Sequence, residues 1–195
     1  EIGCGMGSLL AHLKPSHGVG VDFSPEMIAR AKVQHPEFEY HQMDAHDLSR
    51  LEGEFDAIIL SDTVNDLWDV QRAFEQARKF CGPHTRLIIN FYSHVWQFPL
   101  TLAQSLNLAA PMLPQNWLTR NDIDNMLRLA GFDGIRFSQE ILWPLPLGGF
   151  ANRYLAKLWP FNNFTLSNFV IARPVPQPVH EPSVSVVIAA RNEAG

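Results

Sequence analysis

The chain has 195 residues, of which 46% are hydrophobic and 18% are charged, and its 15 basic and 20 acidic residues give a formal net charge of −5. This composition is typical of a globular protein, and the absence of a Lys/Arg run disfavours a nucleic-acid partner. The two cysteines are too few for a disulfide framework and favour a reducing compartment. The eight histidines are scattered along the chain, so the sequence predicts no metal site. No apolar run reaches the roughly 18 residues of a membrane span.

Short strand and helix patterns alternate over residues 1–91, as in βαβ units that build a mostly parallel sheet. Glu1 and Ile2 have the character of a strand end, and we expect this strand to begin upstream of Glu1. The elements predicted next are helices over 8–13, from Pro25 onwards and over 69–80, and strands over 18–22, 38–42, 55–61 and 86–91. Ser24 followed by Pro25 is typical of a helix start.

The alternation breaks down over residues 92–119, which we interpret as a lid or substrate cap after the fifth strand. A helix is predicted over 121–130, followed by strands over 134–137 and 168–172 that pair with each other. The predicted fold class is therefore α/β: a Rossmann-like, mostly parallel sheet with helices on both faces, an antiparallel last strand and a helical or aromatic cap.

Glycines occupy every second position in the opening segment EIGCGMG, at Gly3, Gly5 and Gly7. Glycine permits a positive φ and lets a ligand approach the backbone closely. A dinucleotide fingerprint would place its third small residue at position 8, which is Ser8, and the third glycine comes one residue early. A nicotinamide oxidoreductase is therefore disfavoured, and the turn better suits a ligand held by an amino-acid part and a ribose.

Acidic residues follow the next two predicted strands. Asp22 lies 19 residues after Gly3 and could accept both ribose hydroxyl protons, and Asp44 could contact an adenine edge. Taken singly, each feature could be a structural turn or a solvated acid. Ligands of open α/β sheets bind at the carboxyl ends of the strands, so the three features in this order favour a binding site.

These segments resemble the class I S-adenosylmethionine (SAM)-dependent methyltransferases. EIGCGMG matches the glycine-rich first motif of that family, VGVDFSPEMIARAK resembles the second, and MDAHDL and FDAIILSDTVND fall where the third and fourth belong. The resemblance covers residues 1–172 and implies SAM as the cofactor. The cofactor-binding residues that it implies are Glu1, Gly3, Cys4, Gly5 and Gly7 at the methionine part, Asp22 at the ribose, Phe23 and Met27 at the adenosine, Asp44 and Ala45 at the adenine, and Ser61 towards the acceptor.

SAM carries a methyl group that is already activated, so the protein mainly has to align the acceptor with it. A general base is needed only where the acceptor keeps its proton. The candidates are His94, Asp62 and Asp66. His94 could equally be a surface histidine, Asp62 could instead orient the ammonium group of the cofactor, and Asn65 with Asp66 could be a helix cap.

The acceptor side is less well determined by the sequence. Residues 143–164 combine aromatic side chains with Arg153 and Lys157, which fits either the core of a cap or peripheral contact with a membrane surface or a lipid-linked acceptor. The resemblance implies an enzyme that methylates a small-molecule or lipid-linked acceptor, with oxygen as the expected target. The alternative is a non-catalytic SAM-binding or scaffolding module.

The last residues differ in character from the rest. Residues 173–182 contain four prolines and are predicted to be a linker. The following segment, 183–195 (SVSVVIAARNEAG), resembles the opening strand and turn of family 2 glycosyltransferases, although an ordinary edge strand would also fit. We therefore expect a bacterial methyltransferase–glycosyltransferase fusion that works in the cytoplasm, at the inner face of the membrane.

Overall fold

A computed structural model of the chain describes residues 1–105, 115–140, 153–154 and 164–176. The helices are α1 (Ser8–Leu13), α2 (Pro25–Gln34), α3 (Val70–Arg78), α4 (Gln97–Ser105) and α5 (Arg120–Leu129). The strands are β1 (Val19–Asp22), β2 (Glu39–Gln42), β3 (Phe55–Leu60), β4 (Cys81–Tyr92), β5 (Phe132–Glu140) and β6 (Ser167–Pro174). Short 3-10 helices span Val64–Asp66 and His94–Trp96.

Ile2 joins two groups of strands into one continuous order. β1 and β2 are parallel, and the other four strands are arranged β3-β4-β6-β5, with β6 antiparallel to both of its neighbours. Ile2 forms a parallel bridge with Val21 of β1, and its N–H donates to the carbonyl of Ile59 in β3 at 2.9 Å. The order is therefore β2-β1-Ile2-β3-β4-β6-β5, and the prediction of an α/β sheet with an antiparallel last strand is confirmed.

The core lies where α3 and α5 pack near the centre of this sheet. Val70, Ala73, Phe74 and Ala77 bury one face of α3 at the i, i+3, i+4, i+7 spacing of an amphipathic helix. The side chain of Asp69 accepts a hydrogen bond from the Arg72 N–H at 2.9 Å and caps this helix. The buried partners from the other elements are Leu87, Ile89, Phe91, Ile123, Leu127 and Phe132.

Two differences from the sequence predictions have physical causes. β4 begins at Cys81 rather than at residue 86, because the register shifts between the Phe55–Cys81 and Ala57–Arg86 pairs. Thr85 supports this irregularity by donating to the Phe55 carbonyl at 2.6 Å and accepting from the Gly82 N–H at 2.9 Å. The second difference is α4, which was not predicted and lies within the segment interpreted as a lid or cap.

Several sequence predictions concern residues outside the described ranges. They are most of the aromatic segment 143–164, most of the linker 173–182 and the whole segment 183–195. Within the described part of the chain, no helix has both the length and the apolar character to cross a membrane. The same residues contain no group of three or more His, Cys, Asp or Glu side chains arranged to hold a metal ion.

Arg78 ties the far side of the sheet together, and we expect Arg78→Ala to lower the free energy of unfolding by about 1–3 kcal/mol. Its guanidinium donates to the carbonyls of Val175, Gly131 and Cys81 at 2.9, 3.3 and 3.5 Å. Urea unfolding measures the change. Arg72→Ala is the control, because Arg72 forms an exposed salt bridge with Glu75 at 3.6 Å and its loss should cost less than about 0.5 kcal/mol. Equal effects of the two substitutions would contradict this prediction.

Candidate functional site

A cleft of about 680 Å³ opens at the carboxyl ends of β1, β2 and β3. Its volume falls within the roughly 300–1,000 Å³ typical of small-molecule sites. The cleft is lined by the end of β1, the first turn of α2 and the segments around Ile2 and the ends of β2 and β3: Ile2, Gly3, Gly5, Val21, Asp22, Phe23, Ser24, Met27, Met43, Asp44, Ala45, His46, Ser61, Asp62, Thr63, Asp66, Leu67 and Trp68.

The glycine-rich turn forms the floor of this cleft, and close approach of other residues explains two of its glycines. Gly3 has a φ of +75°, and a Cβ at this position would lie 2.2 Å from the Thr63 hydroxyl oxygen. Gly7 has a φ of +78°, and a Cβ there would lie equally close to the Tyr40 hydroxyl oxygen, at 2.2 Å. The turn is fixed to β1, because the N–H groups of Gly3 and Cys4 both donate to the Val21 carbonyl.

Asp22 joins the glycine turn to the loop after β1. The residue is buried, with 8% of its surface exposed. Its Oδ2 accepts from the Gly5 N–H and its Oδ1 from the Ser24 N–H, each at 2.9 Å. An ionised carboxylate has about four acceptor positions, so each oxygen can still accept a bond from a ligand hydroxyl.

Asp44, after β2, is held by His46. Its Oδ1 accepts from the His46 N–H at 2.9 Å and lies 2.5 Å from the ring Nδ1 of the same residue. The backbone N–H bond is the main reason that the pKa of Asp44 lies below its ordinary value, so this carboxylate is ionised at neutral pH. His46 is buried, its Nε2 accepts from the Asp69 N–H at 3.3 Å, and its ring stacks on Trp68 with centroids 4.3 Å apart.

Asp62 stands at the end of β3 in a left-handed backbone conformation, with a φ of 52°. Such a conformation is uncommon for a residue with a side chain and persists where neighbouring groups hold it. Asn90 of β4 does so, because its Oδ1 accepts from the Asp62 N–H at 3.1 Å and its Nδ2 donates to Asp62 Oδ1 at 2.5 Å. Tyr92 lies nearby, and burial together with the charges of Asp62 and Asp66 raises its pKa.

Asn65 connects this end of the cleft to the segment before α5. It is 1% exposed, accepts from the Tyr92 N–H and donates to the Asn116 carbonyl, both at 2.8 Å. Asn116 in turn donates to the carbonyl of Leu67. The interpretation of Asn65 and Asp66 as a helix cap is therefore wrong, since Asp69 caps α3 and Asn65 clamps two loops together.

The structure brings together ten of the fourteen predicted site residues. Those that line the cleft are Gly3, Gly5, Asp22, Phe23, Met27, Asp44, Ala45, Ser61, Asp62 and Asp66. Glu1 instead lines an apolar cavity behind the glycine turn with Leu10. Cys4 is buried, which raises the pKa of its thiol to about 12 and leaves it unreactive. Gly7 is the N-cap of α1, and His94 is an exposed residue that begins a 3-10 helix.

His46, Trp68 and Asn90 are contacts of this site that the sequence analysis missed. His46 is two residues from the predicted Asp44, and this proximity was the one available signal. Trp68 and Asn90 reach the site through partners that are distant along the chain, and no local pattern marks such residues.

Comparisons with known proteins agree with this geometry. A family model described as a methyltransferase domain matches residues 1–89. Norajmaline N-methyltransferase of Rauvolfia serpentina is 24% identical over 103 residues, which cover 48% of this chain and 35% of that protein. The chain thus spans about a third of the length of this curated relative.

Solved structures share the fold at low sequence identity. A SAM-dependent methyltransferase from Mesorhizobium loti has a TM-score of 0.66 and 21% identity, with 88% of each chain covered. Magnesium protoporphyrin IX methyltransferase from Synechocystis PCC 6803 with bound SAH has a TM-score of 0.61 and 19% identity over 89% of this chain and 72% of that one. The family model thus matches the part of the chain that contains the whole lining of the cleft, and the solved structures share the fold of this chain.

Proposed function

We propose that the cleft binds SAM and that the protein transfers its methyl group to a small-molecule acceptor. The observation that carries this proposal is the order of three features around one cleft: the glycine turn after Ile2, Asp22 at the end of β1 and Asp44 after β2. Neighbouring strand ends thereby offer a close backbone approach and two separate carboxylates. Their order along the cleft is the order of the amino-acid, ribose and adenine parts of SAM.

Each carboxylate has acceptor capacity to spare for its part of the ligand. The two oxygens of Asp22 each accept one backbone N–H and can each accept a ribose hydroxyl as well. Both bonds from His46 go to Oδ1 of Asp44, so Oδ2 is available to the exocyclic amine of an adenine. Gly3 and Asp62 border the methionine end, where Asp62 would face the ammonium group.

When bound, SAM supplies a methyl group activated by the positive charge on sulfur. The protein then has to hold the acceptor in line with that methyl group and keep water away, which can supply many kcal/mol of the rate enhancement. Asp62 and Asp66 are exposed at the cleft and could take a proton from a hydroxyl acceptor. His94 does not line the cleft, so a role as base would require the acceptor to extend towards β4.

The acceptor chemistry that we propose is a hydroxyl group, on a small molecule or on a lipid-linked intermediate. Carboxylates beside the methionine end support an acceptor that must lose a proton. The N-methyltransferase among the relatives makes amines the competing class. We also propose that the domain works beside a glycosyltransferase module at the cytoplasmic face of a bacterial membrane, which rests on the sequence of residues 143–195 alone.

Calorimetric titration of SAM and S-adenosylhomocysteine, followed by transfer of labelled methyl groups to hydroxyl, amine and lipid-linked acceptors, tests the proposal. We expect micromolar binding and methylation of at least one hydroxyl acceptor. Asp62→Asn separates the two roles of that residue: loss of a base lowers kcat and flattens its pH profile, whereas loss of an ammonium partner raises the KM for SAM. His94→Ala tests in the same way whether His94 acts as the base. SAM binding without transfer to any acceptor would favour the non-catalytic scaffold, and absence of binding would refute the proposal.

A further inference from the structure

His46 is a buried histidine with a hydrogen bond at each ring nitrogen. Since the Asp69 N–H can only donate, Nε2 is the acceptor, and Nδ1 carries the ring proton. That proton is directed to Asp44 Oδ1, 2.5 Å away. One tautomer and one ring orientation are therefore fixed by a backbone group of the loop after β3.

Asp44 needs such an anchor because 57% of its side chain is exposed. An exposed aspartate ordinarily samples several rotamers, and ordering it on ligand binding costs entropy. Two bonds from His46 hold Oδ1, and the remaining oxygen is thereby oriented before a ligand arrives. Without the imidazole of His46, Asp44 would keep only the backbone bond.

Trp68 is the second group that His46 positions. It is 76% exposed although its ring lies against His46 at an interplanar angle of 27°, and it lines the cleft. A large aromatic side chain left in water at the edge of a cleft is a surface suited to a planar ligand. Leu67, its neighbour, is buried, so the backbone of this loop is anchored beside the exposed ring.

We propose that His46 is a positioning residue for recognition of the purine base and that Trp68 is the outer wall of the purine end of the cleft. This inference rests on the proposed binding of SAM and adds which residues set the specificity of the cleft for the purine base. His46 directs Asp44 Oδ2 towards the exocyclic amine, and the stacked Trp68 covers the base. The loops after β2 and β3 thus act as one recognition unit joined by the imidazole.

Calorimetric titration with S-adenosylhomocysteine and S-inosylhomocysteine tests the inference, because the second ligand carries an oxygen in place of the amine. We expect the wild-type protein to prefer the adenine ligand by at least about tenfold, the equivalent of one hydrogen bond. His46→Ala should reduce this preference to about twofold or less. His46→Asn should restore much of it, since its amide N–H can stand near the position of Nδ1.

Trp68→Ala should weaken the binding of both ligands by about tenfold while the preference for the adenine ligand is kept, and Trp68→Phe should recover most of the affinity.

His41→Ala is the matched control for His46→Ala, because His41 forms the same kind of pair with Glu39 two residues away, at 2.6 Å, and does not line the cleft. Phe98→Ala is the control for an exposed aromatic residue, since Phe98 is 75% exposed and also lies outside the cleft lining.

Three results are decisive. Reduced preference in His46→Ala with recovery in His46→Asn supports the inference, and circular dichroism verifies that each variant is folded. Full preference for the adenine ligand in both His46 variants would overturn it while leaving SAM binding intact. Absence of binding by the wild-type protein would instead refute the proposed function on which it rests.

Discussion

Asp22→Ala is expected to weaken SAM binding by at least about a hundredfold. Hydrogen bonds to a charged group contribute about 1.5–3 kcal/mol each, and the substitution removes two of them, one to each ribose hydroxyl. The same substitution also leaves the N–H groups of Gly5 and Ser24 without the carboxylate to which each donates a hydrogen bond at 2.9 Å. The glycine turn and the loop after β1 then lose their common partner. Isothermal titration calorimetry with SAM measures the change directly.

The loss of a ribose contact can be separated from loosening of the turn. A SAH analogue without ribose hydroxyls should bind the wild-type protein weakly and bind Asp22→Ala equally weakly if the ribose contact dominates. Asp56→Ala is the control, because Asp56 is an exposed carboxylate of β3 that does not line the cleft. A fivefold or smaller effect of Asp22→Ala on SAM affinity would contradict the role that we assign to this residue.

Elements whose ends are marked by local chemistry could be predicted well from the sequence. α1 has the predicted bounds, and α2 begins at Pro25 because the Ser24 side chain accepts from the Met27 N–H at 3.3 Å. The start of β4 was misplaced because Gly82 and Pro83 usually end regular structure, whereas here they belong to a register shift that Thr85 stabilises. Tertiary contacts of this kind leave no periodic signal.

The candidate site was predictable to the extent that it follows strand ends. Asp22 ends β1, Asp44 and Asp62 follow β2 and β3, and parallel strands bring their carboxyl ends to one edge of the sheet. Asn90 was missed because it acts through a partner 28 residues away, and His46 because its second bond goes to Asp69, 23 residues away. Gly7 does not line the cleft because it closes the turn against Tyr40 and starts α1.

These contacts also explain why the glycine turn and the loop after β3 depend on each other. Thr63 donates from its hydroxyl to the carbonyls of Ser61 at 2.9 Å and Ile2 at 3.3 Å, directly beneath Gly3. Its Oγ1 and Cγ2 would lie 2.2 and 2.7 Å from a Cβ on Gly3. The floor of the cleft is thus a close contact between two loops that leaves no room for a methyl group.

Gly3→Ala is therefore expected to lower the free energy of unfolding by at least about 2 kcal/mol, because strain at a positive φ adds to a steric clash. Displacement of the turn should also reduce SAM affinity by more than about tenfold. Gly53→Ala is the matched control: its φ is +95°, nothing lies within 4 Å of an added Cβ, and it lies outside the cleft lining. It should cost only the strain of roughly 1 kcal/mol and leave SAM binding unchanged.

Thr63→Ala provides the test of mechanism, because it removes both of the atoms nearest to the new methyl group. In a double-mutant cycle of urea unfolding, Gly3→Ala should cost at least about 1 kcal/mol less in the Thr63→Ala background than in the wild type. Simple additivity of the two substitutions would show that strain at residue 3 alone causes the loss. Recovery in the double variant would establish that contact between the two loops, rather than backbone freedom by itself, requires glycine at the floor of the cleft.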